Sequence, residues 1–133
     1  MREILFRGKG AFSCTNIWHE GGIALYDNTF PVIIRYTVRG EIARFMVTSE
    51  TLGQFTGFTD KNGRRIWEDD ILRFMTDDGT PALYRVVWDA LNGAWACKYL
   101  DGNGQFPVAG FCELTEVVGN VHDNPELLNG TES

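Results

Sequence analysis

The dipeptide Asn92–Gly93 limits the fold more than any other short feature, because it sits between two runs of alternating apolar residues, LYRVVWDA and AWACKY. Asn-Gly tolerates the positive φ at both central positions of a type I′ turn, whose twist matches that of antiparallel strands. With these two residues as the loop, Ala90 faces Trp95, Trp88 faces Cys97 and Val86 faces Tyr99. One face is then apolar and the other holds Arg85, Asp89 and Lys98. That register places Trp88, Cys97, Val86 and Tyr99 in the core, so Trp88→Ala is expected to cost about 3–5 kcal/mol.

Strand signals dominate the rest of the chain. Glu3–Arg7 predicts a short first strand. In NIWHEGGIALYDN, Gly21–Gly22 separates two short apolar runs and predicts a hairpin or bend. Pro31–Val38 and Glu41–Thr48 predict an antiparallel pair around an Arg39–Gly40 loop, with Val38 opposite Glu41, Tyr36 opposite Ala43, Ile34 opposite Phe45 and Val32 opposite Val47. The same register sets Arg35 against Arg44. Asp60-Lys61-Asn62-Gly63 suits a type I turn closed by a left-handed glycine, so Gly63 is expected at positive φ. Asp77–Pro81 and Asp101–Gly104 read as loops, and a last strand is expected near Leu114–Val121. Only the end predicts helix, a single turn with Asn124 as cap, Pro125 at the first position and Gly130 as stop. Ser49–Gly53 is the expected seam between an N-terminal and a C-terminal half of a single domain spanning 1–133.

At 133 residues the chain can bury about two-thirds of its unfolded surface without a staple. Twelve basic and 18 acidic residues give a net charge of −6, which on average repels duplex DNA and anionic lipid. Cys14, Cys97 and Cys112, with spacings of 83 and 15, make neither a complete set of pairs nor a C-x-x-C knuckle, as reduced cytosolic thiols would read. The opening MREILFRGKG is charged from the start and lacks a signal-peptide core, and no stretch approaches the ~20 apolar residues of a membrane span. The expected compartment is the cytoplasm.

Glu68-Asp69-Asp70 is the one acidic run at a predicted strand end. Strand alternation would put Glu68 and Asp70 on one face, where two carboxylates could share Mg²⁺. The plainer reading is a turn whose carboxylates are solvated or accept backbone N–H groups. His122, beside Asp123, raises a thiol–imidazole pair with Cys112, but GFCEL reads as core, so His122 more simply tightens the turn before the closing helical turn. His19 with Cys14 supplies only two ligands, too few for zinc. Phe55, Phe58, Trp67, Phe74, Tyr84, Trp88, Trp95 and Tyr99, with Arg64, Arg65, Arg73, Arg85 and Lys98 nearby, could build a stacking platform for single strands, but small barrels fill their interiors with such rings. No cofactor or metal is expected, and no catalytic set; Glu68, Asp69, Asp70 and His122 are the candidates for a functional surface.

Three stretches resemble the YopX family of phage and prophage proteins: Met1–Lys9, the central TLGQFTGFTDKNGRRIWEDDI of Thr51–Ile71, and the closing GNVHDNPELL of Gly119–Leu128. Two departures stand out. Glu68-Asp69-Asp70-Ile71 lies where the family usually shows a Glu-Gly-Asp-Ile type of step, and AFSCTNIWHEGG replaces its usual Trp- and Gly-containing run. The resemblance implies a mainly β protein: an N-terminal β subdomain packed with a C-terminal SH3-like small barrel, ending in one short helical turn. It implies no activity, because the family has no established biochemical function.

The expected role is therefore a phage- or prophage-encoded, non-enzymatic module that binds a phage or host protein or itself. The alternatives are a nucleic-acid-binding module using the SH3-like half and a small metal-dependent hydrolase using Glu68, Asp69 and Asp70. Self-association is favoured because Pro31–Val38 and Glu41–Thr48 are apolar on both faces, Ile33 and Met46 lying opposite Val32, Ile34 and Phe45. The side bearing Ile33 is expected to be covered by a second copy, most simply in a twofold dimer.

Overall fold

Short alternating runs joined by turn residues leave the chain little choice but antiparallel sheet. The computed structural model describes residues 3–12, 17–100, 102 and 104–129. The chain divides into two units, Met1–Phe55 and Thr56–Ser133. Among the described residues, helix is limited to short 3-10 turns, among them Ser49–Thr51, Cys112–Leu114 and Pro125–Asn129. No helix among the described residues is long and apolar enough to cross a membrane.

Unit one holds β1 (Phe6–Lys9), β2 (Trp18–Tyr26), β3 (Phe30–Tyr36) and β4 (Ile42–Met46), hydrogen-bonded in the order β4-β3-β2-β1. The sheet curls until the chain after β1 meets the chain after β4. Gly10 bridges Val47, Ala11 N–H donates to the Met46 carbonyl at 2.8 Å, and Thr48 N–H donates to the Lys9 carbonyl at 2.9 Å. Ile33, Val47 and His19 are buried on the enclosed side. β5 (Gly53–Thr59) begins against β1, with Gly53 opposite Arg7 and Gln54 opposite Phe6.

Three expectations for this unit are corrected. The first strand starts three residues later than Glu3, at Phe6. Gly21–Gly22 makes no hairpin: β2 runs straight through, its first half paired with β1 and its second half with β3. The reversal comes at Asp27–Thr29, where Asp27 (φ 54) and Asn28 (φ 56) both take the left-handed region that Asn and Asp tolerate. The β3–β4 register is one residue off the expected one. Val32 faces Met46, Ile33 faces Phe45, Ile34 faces Arg44, Arg35 faces Ala43 and Tyr36 faces Ile42. A two-residue loop would need positive φ at Arg39. The chain instead uses Val38-Arg39-Gly40, with only Gly40 left-handed (φ 82) and Thr37 N–H donating to the Glu41 carbonyl at 2.7 Å. An odd slip changes which residues share a face. Ile33 and Phe45 therefore share the enclosed side, Val32, Ile34 and Met46 share the other, where Val32 is nonetheless buried, and Arg35 and Arg44 are not opposed. Ile33 is fully buried by its own chain, so it is not the surface a second copy would cover.

Unit two contains β6 (Arg65–Trp67), β7 (Asp70–Met75), β8 (Pro81–Asp89), β9 (Ala94–Tyr99), β10 (Gln105–Pro107) and β11 (Glu116–Asn120). Five of these form one antiparallel sheet, β10-β9-β8-β7-β11. It is not closed but is compatible with an SH3-like barrel. The core joins Ile66, Leu72, Tyr84, Val86, Cys97, Val108, Cys112 and Val117. Tyr84, Phe106 and Phe111 meet edge to face at 83–89°, the geometry their quadrupoles favour. Most of the aromatics are core, as small barrels require.

Local turn chemistry reads well here. Gly63 lies at φ 80 after Asp60, and Gly79 at φ 85 closes the loop before Pro81. The final turn is 3-10 from Pro125, although Asn124 spends its side-chain oxygen on Asn120 N–H at 3.2 Å and not on the turn. Gly130, Asp101 and Asn103 lie outside the described residues. The last strand is shorter than expected, and β10 is an addition.

The Asn92–Gly93 hairpin forms with a longer loop, Ala90–Gly93, so that Asp89 faces Ala94, Trp88 faces Trp95 and Val86 faces Cys97. Asp89 favours the longer loop by accepting from Leu91 N–H (3.1 Å) and from the Asn92 side-chain amide (2.6 Å). This slip is even, so each residue keeps its face while moving along it. Val86 and Cys97 remain core, whereas Trp88 reaches the open end and is 50% exposed, edge to face with Trp95 at 5.0 Å. Trp88→Ala is consequently expected to cost about 1–2 kcal/mol instead of the larger core value. Urea unfolding checks this, and a loss above about 3 kcal/mol would contradict the exposed placement.

Candidate functional site

In unit two, Glu68 and Asp69 are the two residues connecting β6 to β7. Asp69 sits at φ 71, a conformation that glycine enters freely and aspartate at some cost. Its backbone is held at both ends: its N–H donates to the Val86 carbonyl at 2.9 Å and its carbonyl accepts from Val121 N–H at 3.0 Å. Its carboxylate Oδ1 accepts from Arg85 Nη2 (2.9 Å) and Nε (3.2 Å), while Oδ2 lies 3.3 Å from His122 Nε2. Asp70 is separate. It is 2% exposed, and its Oδ2 accepts from Trp67 N–H at 2.7 Å across the turn.

The acidic run is thus a turn and not one strand face. Asp69 and His122 are brought together, Asp70 is withdrawn into the fold, and Glu68 stays half-buried in the turn. Among the described residues, no three His, Cys, Asp or Glu side chains gather as a metal would need. A carboxylate that orients an imidazole is a feature of acid–base sites. Here the same pair also fastens the C-terminal turn, whose His122 and Asp123 N–H groups donate to Asn120 Oδ1 at 3.0 and 2.9 Å. The sequence reading placed Arg85 only among the cations of a possible stacking platform, because nothing local ties it to Asp69, 16 positions earlier.

The thiols are not poised for chemistry. Burial, with Cys112 beside it, pushes the Cys97 thiol up to about 12, and burial raises that of Cys112. Both belong to the core, and the ring of His122 faces Asp69. Cys14 lies outside the described residues.

His19 is instead a buried group of unit one. It stacks on Phe45 with ring centres 4.0 Å apart, and Arg35 Nη1 lies 3.4 Å from its Nδ1. Arginine only donates, so Nδ1 accepts and Nε2 carries the hydrogen; that buried Nε2 has no partner among the described residues. Burial, then the Arg35 charge, holds this imidazole below its ordinary pKa. The folded protein therefore resists a proton that the unfolded chain takes up below about pH 6.5, and stability present above that pH is lost as pH falls past it. Urea midpoints are expected to drop between about pH 7 and 5.5, and His19→Phe should flatten that slope. An unchanged slope in the variant would rule out His19 as the cause.

The outward face of β2, β3 and β4 is the feature with no evident internal purpose. The pairs Tyr26–Phe30 and Tyr36–Ile42 lie exposed towards its two ends, while Val32, opposite Met46 between them, is buried. Tyr26 is 66%, Phe30 48%, Tyr36 74% and Ile42 51% exposed. Isolated exposed apolar residues are ordinary, but a run across three adjacent strands is not. The two-sided apolar pattern of these strands carries this signal in the sequence, whereas the register decides which side faces out. At one end of β3, a groove of about 390 Å³ is lined by Phe12, Phe30, Pro31 and Val47, with Thr48 and Glu50 among its polar residues.

Comparison with known proteins agrees with this architecture. The structure of protein EF1440 from Enterococcus faecalis is 21% identical, with a TM-score of 0.58, and the match covers 96% of this chain and 99% of that one. Protein yopX from Bacillus subtilis is 18% identical, with a TM-score of 0.59, over 96% and 98% of the two chains. At such identities the likeness establishes the fold alone. No curated protein matches the chain. Residues 18–129 match the family described as YopX protein. With most of its length inside that match, the chain belongs to the YopX family.

Proposed function

We propose that the chain is a non-enzymatic accessory module that works by pairing with a second copy of itself through the outward face of β2–β4. The exposed Tyr26, Phe30, Tyr36 and Ile42 on one sheet face carry this reading. Aromatic residues are enriched in the centres of protein interfaces, where burial of their rings drives association. Charge favours the same unit. Residues 1–55 hold six basic and five acidic side chains, against six and thirteen in residues 56–133, so like copies repel least through unit one. The phage or prophage setting rests on family resemblance alone, and a cytoplasmic site is the compartment suited to reduced thiols. The nucleic-acid alternative has less support: unit two is strongly acidic, and its Arg73 and Arg85 are engaged by Glu116 and Asp69.

Light scattering at tens of micromolar tests the proposal. The expected mass is twice 15.0 kDa. Tyr36→Asp should return it to one chain with a urea midpoint changed by less than about 0.5 kcal/mol in stability, as suits an exposed position. A single-chain mass for the unaltered protein rejects the reading.

A further inference from the structure

The groove and a fully exposed valine lie at opposite ends of the same strand. Phe30, at the start of β3, lines the groove. Beyond Tyr36, at its end, the loop Val38-Arg39-Gly40 presents Val38 with its whole side chain in water. This tip is held in shape: Thr37 Oγ1 accepts from the N–H groups of Arg39 (3.3 Å) and Glu41 (3.2 Å), and Gly40 turns the chain at φ 82. A rigid apolar tip loses little freedom on docking, which is what makes such a residue an effective anchor.

The charges match as well. Glu50 lines the groove and Arg39 neighbours Val38, and among the described residues neither is held in an ion pair. Two copies aligned antiparallel along β3 bring each tip toward the other's groove, giving two equivalent contacts as twofold symmetry requires. The groove's volume lies within the range of pockets that seat a specific group.

We propose that the Val38–Arg39 tip of one copy docks into the Phe12–Phe30–Pro31 groove of a second, with Arg39 paired to Glu50. This deepens the self-pairing reading above and rests on it. Sedimentation of the full chain supplies the test. Val38→Asp, Arg39→Glu and Glu50→Arg should each weaken the dimer by about tenfold or more, and the Arg39→Glu/Glu50→Arg double variant should recover most of the loss. All three positions are exposed, so folding is not at stake. A wild-type protein that is a single chain overturns self-pairing and the tip contact together. A dimer that Tyr36→Asp dissolves but Val38→Asp and Arg39→Glu leave intact overturns only the tip contact. Singles that weaken the dimer without recovery in the double variant overturn the Arg39–Glu50 pairing.

Discussion

Asp60→Ala is expected to remove about 3–5 kcal/mol of stability, because one buried carboxylate satisfies three backbone donors. Asp60 is 4% exposed. Its Oδ1 accepts from Asn62 N–H at 2.8 Å and Arg64 N–H at 2.9 Å, which shapes the turn. Its Oδ2 accepts from Val117 N–H at 2.9 Å, which ties that turn to β11, 57 residues later. Alanine leaves the Val117 N–H buried without its partner, at about 1–3 kcal/mol, and also strips the turn of its two part-buried bonds from Asn62 and Arg64 N–H, at about 1 kcal/mol each. Burial by itself would raise this carboxyl's pKa, but the N–H groups of Val117, Arg64 and Asn62 and the Arg64 charge outweigh it, and the net shift is downward. The carboxylate's contribution is therefore complete above the unfolded pKa of about 3.9 and disappears as pH falls through the folded value. Urea unfolding at pH 7 should show the full loss in Asp60→Ala, and the gap to wild type should narrow by about pH 2–3. A deficit below about 1 kcal/mol at pH 7 would mean that water replaces the carboxylate at little cost.

Gly21→Ala should cost about 3 kcal/mol or more, while the same change at its neighbour Gly22 costs under about 1. A Cβ on Gly21 would stand 2.3 Å from the Ile34 carbonyl oxygen and 3.2 Å from Arg35 Cβ. Backbone oxygen in a sheet ladder cannot swing aside as a side-chain end can, so β2 must shift off β3. On Gly22 the nearest atom is that same carbonyl, at a comfortable 3.8 Å. Thermal unfolding of the two variants in parallel decides the matter. Equal losses would mean that both glycines act through unfolded-chain entropy and that the close approach at Gly21 is unimportant.

The candidate residues divide in an instructive way. Asp69 and His122 stood out in sequence as members of an acidic run and a closing motif, and the fold brings them to 3.3 Å. Glu68 and Asp70 were placed together by strand alternation, which stops at a turn. Asp69 is the left-handed residue of that turn, a conformation that glycine enters most freely. Glycine would relieve the backbone there; aspartate supplies the carboxylate that Arg85 and His122 engage.

What the sequence determined by itself is everything whose cause is local. Strand content follows from alternation, and the left-handed Gly63 and the Asp77–Pro81 loop follow from turn chemistry within five residues. The presence of the Asn92–Gly93 hairpin follows in the same way. Loop length and register escaped, because they are settled by competition across a ladder. Asp89 draws the Asn92 loop out by two residues and leaves each face unchanged, while the Gly40 turn slips β4 by one, so that Ile33 shares a face with Phe45 and Val32 with Met46. Whether Ile33 or Ile34 faces water, whether Trp88 lies in the core, and why Gly21 must be glycine all depend on atoms brought close only by folding. Tertiary structure decided those points, since a one-residue shift costs nothing in local propensity and everything in which side chains meet.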